Sequence, residues 1–229
     1  MTQTSPQSVL NQAQQTRTKR VEAYGPGSVV RADIKNADIL LFRGDPLASD
    51  LIEIGTDSPY SHAAIAFRSS PQDPYKYETN DGVEHVCFIE AVRTGVRMDL
   101  LSNELKSYPG AIELWRIDER YLAKFSPAAA IAEARRYLGF PFAYDHLAAF
   151  VLDWLTFGLF HLRSRCRNHR AFFCSQLVSR AYVKGGVDLN VRYGDAATAP
   201  GDLANGGHIH VVHAFQLAER IPKASSAMR

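Results

Sequence analysis

The order in which apolar patterns change along this chain constrains its fold more than any single motif. Residues 37–42 (Ala-Asp-Ile-Leu-Leu-Phe) read as a buried strand. Residues 47–55 read as a short helix, with Asp45 and Pro46 at its start. Three further strands follow at 62–67, 84–92 and 112–117. Helices come afterwards. Ser126 and Pro127 are an N-cap and a first-turn proline, and that helix stops at Gly139. A second helix starts at Cys174 and stops at Gly185-Gly186, which suits a C-cap. A last strand occupies 208–214. Strands and helices do not alternate strictly, so an α+β fold is expected rather than a doubly wound parallel sheet. There is no internal repeat.

The chain of 229 residues, 46% hydrophobic and 22% charged, is long enough for one core with elaborations. The domain is expected to run over 29–221, between a flexible N-terminal arm (1–28) and a short polar tail (222–229). A net charge of +2 gives no argument for nucleic acid as a partner. Three cysteines at unrelated spacings suggest reduced thiols rather than a disulfide framework or a zinc knuckle. The polar first twenty residues lack a secretory signal, so synthesis in the cytoplasm is expected, with signal-independent export if the protein acts outside the cell.

Residues 147–162 are strongly apolar, with Phe150, Trp154, Phe157 and Phe160 and a single charge at Asp153. They are too short and interrupted for a membrane span. A buried helix hairpin and a lid or membrane-facing element near a site both fit. Arg163, Arg165, Arg167, His169 and Arg170 follow at once, either as a solvated face or as a surface for anions. The stretch 146–170 is an expected insertion.

Chemistry enters with the two strands that flank residues 68–83. If they form an antiparallel pair with Phe67 opposite His85, His62 falls opposite Glu90. Directly opposed side chains share a face at about 5 Å, close enough for the carboxylate to accept the Nδ1 proton of the imidazole. A slip of one residue would separate them. Such a carboxylate fixes the tautomer and stabilises an imidazolium; a half-buried histidine with a purely structural acid has the same pattern. Cys174 stands at a helix start, where the dipole and free N–H groups lower a thiol pKa and face a developing oxyanion. Its periodicity with Leu177, Val178 and Ala181 points it inward, which also describes an inert core cysteine. Cys87 alternates to the face opposite Glu90, and Cys166 lies in the basic run with no base beside it. His208 and His210 share a face, but without partners at ligand spacing they suggest no metal.

These residues carry a resemblance. The segments 37–42, 58–65 (Ser-Pro-Tyr-Ser-His-Ala-Ala-Ile), 88–92 (Phe-Ile-Glu-Ala-Val) and 173–178 (Phe-Cys-Ser-Gln-Leu-Val) resemble the permuted NlpC-type papain-like hydrolases, in particular the YiiX-like branch. Tyr144-Asp145 and Ala199-Pro200-Gly201-Asp202-Leu203 also look like landmarks of that family. The resemblance covers roughly residues 35–205. It implies an α+β, circularly permuted papain-like fold, with the cysteine helix packed on a small antiparallel sheet. It implies Cys174 as nucleophile, His62 as base and Glu90 as the group that orients the histidine. Tyr60, Ser61 and Tyr144 are candidates for lining the substrate pocket.

The resemblance further suggests an amide of peptidoglycan stem peptides as substrate, with no cofactor. It also suggests an antibacterial effector of a type VI system, with the secretion apparatus and an immunity protein as partners. Two other readings stay open. The same fold supports lipid or acyl-conjugate thioesterases and acyltransferases, for which the apolar and basic stretches would supply membrane-surface contact. A non-catalytic binding module is the third.

Overall fold

A computed structural model describes residues 24–25, 27–44, 58–69, 84–142, 173–190 and 198–215. The elements are α1 (Val29–Asp33), β1 (Ile39–Arg43), β2 (Tyr60–Ser69), β3 (His85–Val92), β4 (Gly95–Leu100), α2 (Leu101–Ser107), β5 (Ala111–Ile117), α3 (Glu119–Leu122), α4 (Pro127–Arg136), α5 (Cys174–Gly185), α6 (Pro200–Asn205) and β6 (Ile209–Phe215). The six strands make one sheet in the order β4-β3-β2-β1-β5-β6. Every neighbouring pair is antiparallel. The fold class is α+β, as the order of elements predicts.

Strand alternation divides the core into two layers. Ile39, Leu41, Ala63, Ile65, Phe67, Cys87 and Ile89 join residues of α4, α5 and α6 on one face. Leu40, Phe42, Ala64, Ala66, Phe88 and Ile112 face the other way, under Ile34 and the α2 residues Leu101 and Leu105. Cys87 is fully buried in the first layer, opposite in sense to Glu90 as its position on the strand requires. Tyr24, which lies within the expected arm, is buried in the second layer with its ring edge-on to Phe215.

The helix limits follow from local chemistry. Ser126 caps α4 by accepting the Ala129 N–H, and Pro127 fills the first turn, where an N–H would have no helical partner. Helix α5 ends on Gly186 at φ +104°, a left-handed conformation that glycine adopts without a Cβ penalty; a Cβ there would also lie 2.3 Å from the Lys124 carbonyl oxygen. Two buried polar ties hold the layers in register. The Tyr182 hydroxyl on α5 donates to the Ala37 carbonyl at the start of β1. Asp38 accepts two bonds from the Arg116 guanidinium, at 2.9 and 2.8 Å, and one from the Lys35 N–H at 2.8 Å. A forked guanidinium satisfies a buried carboxylate that would otherwise be costly.

The expected helix at 47–55, the insertion at 146–170 with Cys166, and the tail lie outside the described residues. Among the described residues no helix is long and apolar enough to cross a membrane.

Candidate active site

His62 and Glu90 come together, in a register that differs from the expected one. Phe67 pairs with Cys87 rather than His85, and Ala64 pairs with Glu90. The strands are displaced by two residues, so facing is preserved and Glu90 is the diagonal neighbour of His62. Two side chains this long close the diagonal: the His62 Nε2–Glu90 Oε2 distance is 2.7 Å. The nitrogen bound by the carboxylate is Nε2, where Nδ1 was expected. Nδ1 is thereby left for Cys174, whose sulfur is a hydrogen-bond partner of the imidazole.

The entry to β2 aims the histidine. The β1–β2 ladder pairs Phe42 with His62 but Arg43 with Tyr60, so Ser61 is a bulge residue. A bulge re-aims the side chains beside it. Tyr60 consequently packs with the α5 layer, while the His62 ring lies against Phe42 at a centroid distance of 5.0 Å. The Ser61 hydroxyl donates to the Phe42 carbonyl at 3.4 Å. The Tyr60 hydroxyl donates to Glu113 Oε2 at 2.6 Å, which commits it to the frame around the site. Tyr144 lies outside the described residues.

Helix α6 holds this entry from outside. A Cβ on Gly201 would fall 2.3 Å from both the Cβ and the Oγ of Ser58, so only glycine permits the approach. Ser58 Oγ in turn accepts the Tyr60 N–H at 3.3 Å. The sequence landmark around Gly201 therefore seats the chain that leads into His62. On α5, Gln176 Oε1 accepts the Phe173 N–H at 3.2 Å, and the Ser175 hydroxyl donates to the Thr198 carbonyl at 2.7 Å. Both bonds fix the first turn that carries Cys174.

Electrostatics favour charge separation. Burial opposes a charge on His62, but the Cys174 sulfur and the Glu90 carboxylate outweigh it, and the imidazole pKa is pushed up to about 10. Burial also opposes a thiolate at Cys174. The His62 charge and hydrogen bond, with the Ala63 and Ser175 amides, override it and lower the thiol pKa. Glu90, 3% exposed, is likewise held below its ordinary value against burial, by His62 and Arg97. Both shifts run in the direction that favours a thiolate–imidazolium pair. His62 keeps 21% of its side-chain surface exposed, which leaves an approach to the pair.

Arg97 is the residue that sequence reasoning missed. It lies directly across β3–β4 from Glu90 and contacts its Oε1 through Nε and Nη2, each at 2.7 Å. A signal was present: after the turn at Arg93-Thr94, Val96, Met98 and Leu100 alternate with Arg97 and Asp99.

Among the described residues no group of three or more His, Cys, Asp or Glu side chains could hold a metal ion. No protein-family model matches the chain, and no curated protein matches it. Among solved structures it is similar to the crystal structure of the metalloprotein YiiX from Escherichia coli O157:H7. The TM-score is 0.51 at 16% identity, over 78% of this chain and 96% of that one. The fold is YiiX-like. At that identity the likeness speaks for the fold alone, and the metal named for YiiX is a property of that protein.

Proposed function

We propose that the protein is a cysteine hydrolase in which Cys174, His62 and Glu90 act together on an amide of peptidoglycan stem peptides. The observation that carries this reading is the His62 imidazole, bound to Glu90 through Nε2 and paired with the Cys174 sulfur at the N-terminus of α5.

In this reading the Cys174 thiolate attacks the substrate carbonyl and forms a C–S bond. The carbonyl oxygen becomes an oxyanion, met by the backbone N–H of Cys174 at the helix N-terminus and by a second donor. His62 donates its Nδ1 proton to the leaving amine as the C–N bond breaks. Water then attacks the thioester, His62 takes the water proton, and the thiolate leaves as the carboxylic acid product forms. Glu90 stabilises the imidazolium at each stage and keeps the ring from turning. No step calls for a redox change or for any co-reactant besides water.

The choice of stem-peptide amides rests on the resemblance of the segments around Asp38, His62, Glu90 and Cys174 to NlpC-type hydrolases. Delivery as a type VI effector, with a matching immunity protein, belongs to the same proposal. The test is to incubate wild type and Cys174→Ala with purified sacculi and identify released products by mass spectrometry. Stem-peptide fragments that depend on Cys174 support the reading and name the bond. Folded wild type that releases nothing, while its thiol reacts rapidly at neutral pH, removes the wall substrate and leaves an acyl or lipid conjugate as the object of the same chemistry.

A further inference from the structure

Glu90 has two oxygens and uses each for a different partner. Oε2 meets His62 Nε2 at 2.7 Å, and Oε1 meets Arg97 Nε and Nη2, both at 2.7 Å. Arg97 is the in-register neighbour of Glu90 on β4, so its side chain rises on the same face. Glu90 is 3% exposed, and water has little room to take the place of either partner.

We propose that Arg97 is a positioning residue: its guanidinium fork clamps Oε1 of Glu90, so that Oε2 is held against His62 and the ring keeps Nδ1 toward Cys174. This rests on the hydrolase reading above and adds a fourth member to the constellation. The argument is geometric. A glutamate reaches its carboxylate through three rotatable bonds, and one hydrogen bond to a histidine leaves the carboxylate plane free to turn. A second contact from a rigid, planar group removes that freedom. A lysine in the same place would supply charge without the fork.

The charges around Glu90 give the clamp a second effect. His62 on β2 and Arg97 on β4 favour its ionised form. Asp99 on β4, 4.0 Å from Arg97 Nη1, and Glu104 on α2 add negative charge to the same cluster. Arg97 carries 47% side-chain exposure and balances these acids from the solvent side. Without it, Glu90, Asp99 and Glu104 would surround one imidazolium, and Glu90 would take up a proton at higher pH. Protonated Glu90 no longer supports the imidazolium, and the thiolate is lost with it.

The test is the pH profile of Cys174 alkylation by iodoacetamide, for wild type, Arg97→Ala, Arg97→Gln and Arg97→Lys, each shown to be folded by urea unfolding. The acid limb of Arg97→Ala is expected to move up by about one pH unit, making alkylation about tenfold slower within the limb. Arg97→Gln behaves alike and carries the test if the alanine variant does not fold. Arg97→Lys keeps the limb near the wild-type position but turns over sacculi more slowly at saturating substrate, because charge is retained and the fork is lost. Limbs that coincide in wild type and the two uncharged variants overturn the role of Arg97 and leave the active-site reading standing. A wild-type limb at the ordinary cysteine position overturns both.

Discussion

His62 and Glu90 meet on a diagonal of the β2–β3 ladder, 2.7 Å apart, although the residue directly across from Glu90 is Ala64. Ala64 carries only a methyl group on the face that His62 and Glu90 share. The carboxylate therefore binds Nε2, and the other ring nitrogen is turned to the helix that brings Cys174.

Replacing Glu90 by Gln keeps the shape of this contact and removes its charge. The amide no longer stabilises an imidazolium, so the thiolate population at neutral pH should fall. Sacculus hydrolysis is expected to drop by about a hundredfold or more, with a parallel loss of rapid iodoacetamide labelling. Initial rates of the two reactions, measured on one preparation, check this.

The coupled pair gives stability an unusual pH dependence. The His62 pKa is raised from 6.5 to about 10, and the Cys174 pKa is lowered from 9.0. A raised histidine contributes stability below 6.5 that is lost as pH rises toward 10. A lowered cysteine contributes stability above 9.0 that is lost as pH falls. Over the part of the 6.5–9.0 interval in which folded Cys174 is ionised, folded and unfolded chains carry the same number of protons on the pair, so its contribution is flat. It declines above 9.0, where the unfolded thiol ionises while folded His62 stays protonated. In Cys174→Ala the sulfur that contributes most to raising His62 is gone, so the decline above 9.0 shrinks. Urea midpoints of the two proteins across pH 5–10 distinguish the profiles.

Much of this arrangement was legible in the sequence. The start of α5 at Cys174 and its glycine cap were visible because helix ends carry their own chemistry. The facing of His62 and Glu90 survived an error in register, since a displacement of two residues keeps alternation intact. The register itself was not legible, because a displacement of two residues leaves the alternation of both strands unchanged, and nothing local distinguishes the two pairings. Arg97 escaped notice because β4 is short and its outward residues are charged. The Tyr60 hydroxyl bonds Glu113, a partner on β5 that no local pattern announces.

The approach of α6 to β2 can be tested at Gly201. Gly201→Ala places a methyl 2.3 Å from Ser58 Cβ and Oγ, so helix or loop must shift. Overpacking of this kind costs about 1–3 kcal/mol. Because Ser58 leads into His62, activity should fall further than the folded fraction does. Urea unfolding and sacculus turnover of the folded protein measure the two effects separately.

Tyr182→Phe provides the contrasting case. It removes the hydroxyl that ties α5 to the Ala37 carbonyl and leaves that buried acceptor unsatisfied. A loss of about 1–3 kcal/mol in stability is expected. The Cys174 turn lies two helical turns away and keeps its own bonds, so the pH profile of thiol alkylation should coincide with that of wild type.

The most direct test of the central claim is the ultraviolet absorbance of the thiolate, recorded against pH as the difference between wild type and Cys174→Ala. The account predicts that Cys174 ionises well below the ordinary cysteine value of about 8.5, and that His62→Ala returns the midpoint to that value or above it. A wild-type midpoint at or above the ordinary value would mean that His62 and Cys174 form no ion pair, and the proposed chemistry would fail.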